Sequence, residues 1–273
     1  MQKVPTVPFI ATLVVALAGV VNAQTPSGQG PNTGSLTFTG GLDVPTVYVF
    51  RGILQEVEPK VTLWPSGDLG IALKSGDGAL RSVGVNLGVW ESLQTGSSGT
   101  NGPSRHAHYE EDFYSTLTLG FGGGVSVATT FMALSSPNQV WNTIKEMQVK
   151  VSKAGRFKPY GFLATELTAD GQADGGARTG TYVELGVGPS FSLGGARTLA
   201  IPAKLGLSVS DYYELNGVDH RFGFFDVGAL ATWPLGVPNR FGVWNLHGGA
   251  DVMVLGDSTE ADRKSTRLNS SHV

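Results

Sequence analysis

Arg105-His106-Ala107-His108, followed by Glu110, Glu111 and Asp112, sets two imidazoles and three carboxylates within eight residues. Such donors suit Zn²⁺. On an extended strand successive side chains alternate between faces, so His106 and His108 share one face and Glu111 takes the other. The spacing matches no closed zinc pattern, and the run sits where a loop passes into a strand. It reads as solvated rim residues, with no metal centre. His247 shares a strand face with Asn245 and Asp251, a set that a membrane-embedded hydrolase could combine with a serine. No serine nucleophile motif accompanies it, so no catalytic residue is assigned and the chain is not read as an enzyme. Gly122-Gly123-Gly124 lacks the Gly-Lys-Ser/Thr ending of a phosphate cradle and reads as a tight turn.

Arg51 ends an apolar stretch. On a lipid-facing surface near the bilayer midplane an arginine costs roughly 2–4 kcal/mol, so it should face an interior or an interface. Two readings stay open: a lumen charge that tunes anion preference, or one half of a buried pair that stabilises the interior. Glu110, Asp112, Glu146, Lys150, Glu184, Lys204 and Asp226 fall on the polar faces of their segments. Pointing inward, they would form a mixed-sign interior, suited to a water-filled pore or to a plugged network of ion pairs. With Arg51 they are the candidate lumen and selectivity residues.

The elements that must hold these side chains are strands. From Ser35 to Leu255 about eleven segments alternate apolar with small or polar residues. They fall near 35–51, 61–73, 80–93, 109–121, 124–134, 143–153, 156–169, 179–193, 197–210, 220–235 and 241–255. In the third, Val83, Val85, Leu87 and Val89 share one face, with Ser82, Gly84, Asn86 and Gly88 opposite. Pro45 within the first signals a bulge or a break, because proline cannot donate to a ladder. The connections alternate too. Gly122–Gly124, Ala154-Gly155, Gly194–Ala196 and Gly236–Arg240 are short; 94–108, 135–142, 170–178 and 211–219 are longer and more polar. Tight turns on one side and long loops on the other are the habit of a transmembrane β-barrel. The link near Gln55 to Pro59 is shorter than this scheme wants. Trp64, Trp90, Trp141, Trp233 and Trp244 sit near segment ends or the outer face, positions that suit an aromatic girdle or ordinary packing.

Composition agrees. Among 273 residues there are 39 glycines, only 15% are charged, and the net charge is -3, which points away from nucleic acid. The absence of cysteine excludes disulfides, thiolate metal sites and a lipid-anchored N-terminal cysteine. Residues 1–23 read as a secretory signal: Lys3, an apolar run from Phe9 to Val21, and Val21-Asn22-Ala23 before the cleavage site. Residues 24–34 are a flexible lead-in. Asp262 to His272 is similar to translated sequencing-adapter sequence, and 262–273 is set aside as a non-native tail.

The stretch Val47-Tyr48-Val49-Phe50-Arg51-Gly52-Ile53-Leu54-Gln55 resembles the Tyr-x-Phe-Arg-Gly-Ile-x-Gln signature of the TorF-type porins of Gram-negative bacteria. His108 to Tyr114 looks like a recurring strand of related proteins. Where the signature has Ser before Gln, this chain has Leu54. The resemblance implies an outer-membrane barrel with a transport role and brings no catalytic residues with it. The expectation is therefore an all-β protein over 35–261: an antiparallel up-and-down transmembrane β-barrel of about 12 strands, the last missing here. It would sit in the cell outer membrane among lipid, need no cofactor, and pass small hydrophilic solutes through a polar lumen. The alternatives are a structural or interaction barrel with a closed lumen, a membrane-embedded hydrolase and, at the level of fold, a soluble β-sandwich.

Overall fold

Segments in which apolar residues alternate with small or polar ones make strands with one oily and one wet face, and here they join edge to edge. The computed structural model describes residues 9–10, 32, 34–55, 61–95, 107–168 and 178–261. In chain order the strands are β1 Phe9–Ile10, β2 Leu36–Asp43, β3 Val49–Phe50, β4 Ile53–Leu54, β5 Thr62–Ser75 and β6 Leu80–Gln94. Then come β7 His108–Phe121, β8 Val125–Ser135, β9 Ile144–Lys153, β10 Tyr160–Glu166, β11 Thr181–Val187 and β12 Ser190–Gly194. The last are β13 Arg197–Ala200, β14 Ala203–Ser210, β15 Glu214–Leu215, β16 Val218–Asp219, β17 Phe222–Pro234 and β18 Asn245–Leu255. The main sheet has 14 strands in the order β1-β18-β17-β14-β11-β10-β9-β8-β7-β6-β5-β2, with the β12–β13 pair set against β17. Two small hairpins, β3–β4 and β15–β16, stand apart from it.

The protein is all-β, and its main sheet is one antiparallel meander rather than the two packed sheets of a sandwich. The segments expected over 179–193 and 197–210 are each broken once, before Pro189 and before Pro202, where no backbone N–H is available for the ladder. The Gly122–Gly124 turn carries φ of 73° at Gly123 and 74° at Gly124, conformations that glycine adopts without steric cost. The expected signal apart from Phe9–Ile10, most of the lead-in and the tail from Asp262 lie outside the described residues.

The sheet curls until its ends approach. His247 Nε2 on β18 lies 3.5 Å from Asp43 Oδ1 on β2. Their backbones do not pair; among the described residues β2 is bonded only to β5. A cleft of about 410 Å³ separates Phe38 to Leu42 from Phe241 to Trp244.

The expected first strand is corrected. β2 ends at Asp43, just before Pro45, and the chain leaves the wall to form the β3–β4 hairpin. Val49 and Phe50 belong to that hairpin, whose neighbours are Trp64 on β5, Tyr109 on β7, Glu146 on β9 and Phe224 on β17. Strands so far apart along the sheet can surround one hairpin only if the sheet wraps around it. With the hairpin removed from the wall, the link between β2 and β5 becomes long, and long links alternate with short ones from β2 to β11. Beyond it the alternation lapses, since the links 188–202 and 235–244 are longer than the short turns expected there.

The two faces of the wall differ. On the convex face Phe38, Leu69, Leu87, Phe113, Phe131, Met147, Leu163, Leu185, Val209, Phe225 and Val254 are exposed, one from each of the eleven long strands. On the concave face polar side chains bond across the ladder: Asn86 donates to Asp68 at 2.6 Å, and the hydroxyls of Thr116 and Thr130, and of Ser126 and Ser152, lie 2.8 Å apart. Glycine has a defined use there. Tyr114 lies over its cross-strand partner Gly88, Tyr160 over Gly186 and Phe224 beside Gly206, so that a Cβ at any of the three would strike a ring.

Candidate functional site

The hairpin turns through Arg51 and Gly52, with Val49 paired to Leu54 and Phe50 to Ile53. Their φ values of 48° and 84° place both central residues in the left-handed region, as a two-residue type I′ turn requires. Arg51 is an unusual residue for that conformation, and the surroundings hold it there. Its Nη1 donates to Glu146 Oε1 at 2.8 Å and to the Tyr212 hydroxyl at 2.9 Å; its Nη2 donates to Glu146 Oε2 at 2.9 Å. The Tyr213 hydroxyl donates to the Arg51 carbonyl at 2.7 Å.

The side chains of Arg51 and Glu146 are 8% and 0% exposed, so this bidentate pair is buried, the geometry in which Arg and carboxylate bond most specifically. The rings of Phe50, Phe162, Tyr182 and Tyr212 lie 4.6 to 5.5 Å from the guanidinium carbon. Gln148 Nε2 adds a bond to Glu146 Oε2 at 2.8 Å. Of the two readings left open for Arg51, the paired one describes its contacts. Replacing Tyr213 by phenylalanine removes one bond to the strained turn while keeping the ring. A free energy of unfolding lowered by about 0.5–1.5 kcal/mol is expected, measured by urea titration followed by tryptophan fluorescence.

Tyr48 anchors the other side of the hairpin. Its ring centroid lies 5.1 Å from Trp64, 5.6 Å from Trp90 and 6.2 Å from Tyr109. Tyr109 stacks edge-on against Trp141 at 4.8 Å and donates to the Gln55 carbonyl at 3.0 Å. Burial pushes the Tyr48 phenol well up, and the nearby carboxylates of Glu110 and Asp112 push the same way, so the hydroxyl keeps its proton. Burial raises Tyr212 and Tyr213 as well. Trp64, Trp90 and Trp141 therefore take the packing alternative rather than the girdle. Trp233 is exposed, and Trp244 Nε1 donates to the Phe241 carbonyl.

Arg51, Glu146, Glu110 and Asp112 gather around the hairpin, the last two buried. Further along the concave face, Lys150 Nζ lies 4.2 Å from the Tyr160 ring centroid. The Tyr160 and Tyr182 hydroxyls each donate to Glu184 at 2.6 Å. Lys204 Nζ lies 3.4 Å from Asp226 Oδ2. The structure thus brings Arg51 to Glu146 and Lys204 to Asp226. Glu184 takes tyrosines for partners. Such an interior can hold water and small polar solutes against paired charges and hydroxyls.

His247 meets Asp43, and no described serine hydroxyl is hydrogen-bonded to it. Residues 96–106, His106 among them, lie outside the described residues. His108 departs from the alternation expected of it. The register steps from Ser92↔Glu110 to Leu93↔His108, leaving Tyr109 as a bulge that places His108 on the same face as Glu111. Tyr212 and Tyr213, in a link read as a polar loop, are each 1% exposed and complete the Arg51 site. Two adjacent tyrosines beside Asp211 and Glu214 in that link were the signal available in sequence. Scans against protein-family models, curated proteins and solved structures find no match to this chain.

Proposed function

We propose that the chain is an outer-membrane β-barrel protein giving small hydrophilic solutes passive passage through a polar lumen, which the inward β3–β4 hairpin narrows. The observation that carries this reading is the sorting of side chains. Each of the eleven long strands exposes a large apolar side chain on the convex face, while hydroxyls, amides and paired charges line the concave one. A soluble monomer rarely exposes so continuous an apolar surface, whereas a bilayer core accepts it. In lipid every strand edge must be satisfied. β2 and β18 run in the same direction, so one antiparallel strand between them would complete a twelve-stranded wall; the two residues of β1, paired with Val252 and Asp251, already occupy part of the β18 edge. The stretch similar to TorF-type porins is the inward hairpin itself.

Selectivity would arise from Lys150, Glu184, Lys204 and Asp226 along the lumen. Single-channel recording in planar bilayers tests the proposal. Discrete steps that scale with salt are expected, with a shift toward cations in Lys150→Glu. Silence from verifiably folded protein would overturn passive passage. It would favour a second reading, a closed barrel that serves in structure or interaction, for which the buried Arg51–Glu146 pair and its ring of tyrosines speak. Conductance that appears only in Arg51→Ala would identify the hairpin as the closure. We propose no catalytic activity.

A further inference from the structure

Glu91 on β6 stands directly opposite Glu111 on β7. Two carboxylates in cross-strand register repel one another unless a positive charge joins them. Neither takes an ion pair or a hydrogen bond among the described residues. The bulge at Tyr109 delivers His108 to the same face, and a ring nitrogen of His108 and one oxygen of each glutamate all lie within 4.8 Å of one another. His108 Nε2 is closed off from solvent and takes no hydrogen-bond partner among the described residues. Two carboxylates without a partner thus stand beside an imidazole whose Nε2 is buried and unsatisfied, and one divalent cation would remove the repulsion between the glutamates while taking a ring nitrogen as its third ligand.

We propose that Glu91, His108 and Glu111 bind a divalent transition-metal ion of the Zn²⁺ class, on the convex face where β6 and β7 meet their long link. Imidazole favours such ions over Mg²⁺ and Ca²⁺, which take oxygen ligands. Zinc bound at about 2.0–2.2 Å to each ligand requires the donors to draw in by about 1 Å, within reach of glutamate rotamers. Three protein ligands leave a fourth position open to water or to an anionic group from outside the chain. The site is independent of solute passage, since all three residues lie on the face away from the hairpin.

Zn²⁺ titrated into the detergent-folded protein, in competition with a chromogenic chelator, tests the assignment. One equivalent is expected to bind and to raise the unfolding midpoint, while Mg²⁺ at the same concentration does neither. His108→Ala and the double variant Glu91→Gln/Glu111→Gln should each weaken binding about 100-fold or more, and His220→Ala should leave it unchanged. In metal-free buffer Glu111→Gln should unfold no earlier than the unaltered protein, because it relieves the repulsion; this separates a lost ligand from a lost fold. Equal binding by His108→Ala and the unaltered protein, or no binding by either, would overturn the proposal.

Discussion

Arg51→Ala is expected to lower the free energy of unfolding by about 3–5 kcal/mol, the largest effect of any single substitution considered for this protein. The reason is less the lost attraction than what remains. Glu146 is fully buried, and without Arg51 it keeps only the Gln148 amide as a donor. Tyr212 loses the guanidinium as well. Arg51→Lys should recover only part of the loss, since an ammonium cannot bond both carboxylate oxygens in the planar fork that Nη1 and Nη2 make. The informative comparison is Arg51→Met with Glu146→Leu. Removing both charges together leaves no unpaired buried charge, and the double variant should be far more stable than Arg51→Ala alone. Urea unfolding followed by tryptophan fluorescence reports it, because Trp64 and Trp90 pack against the hairpin through Tyr48. A loss below about 1 kcal/mol for Arg51→Ala would mean that the hairpin is not fixed by this pair.

Gly52→Val should follow, at about 2–4 kcal/mol. Gly52 has φ of 84°, a conformation that a β-branched residue enters only with strain, and a Cβ there would lie 2.9 Å from Phe224 Cδ1. Phe224 cannot retreat, because its ring already occupies the space beside Gly206. The hairpin would have to move outward and carry Arg51 away from Glu146. Gly236→Val is the control: a Cβ at Gly236 meets nothing within 4 Å, and a change within about 0.5 kcal/mol is expected. Equal stability of the two variants would show that the hairpin does not pack against β17. In bilayers, Gly52→Val should raise conductance if the hairpin narrows the lumen.

The strands, their order as a meander and the two faces of the wall were legible in sequence, because a period of two is written into each segment and needs no knowledge of its neighbours. The glycine turns at 122–124 and 194–196 could be read as well, because positive φ favours glycine, whereas the turn expected at 236–240 is part of a longer link. Pro45 announced a break in the first segment but not where the chain would go afterwards. Its destination depends on what the curled sheet leaves room for, and that is a property of all the long strands together. Arg51 and Glu146 are 95 residues apart and Arg51 and Tyr212 161, so no local pattern relates them. The bulge at Tyr109 also escapes alternation, since one extra residue reverses which side chains share a face, and only the pairing partner reveals it. Sequence alone therefore determined which side chains could line an interior. The tertiary structure decided which of them meet, because burial of the hairpin is set by the curl of the sheet around it and not by the residues on either side of it.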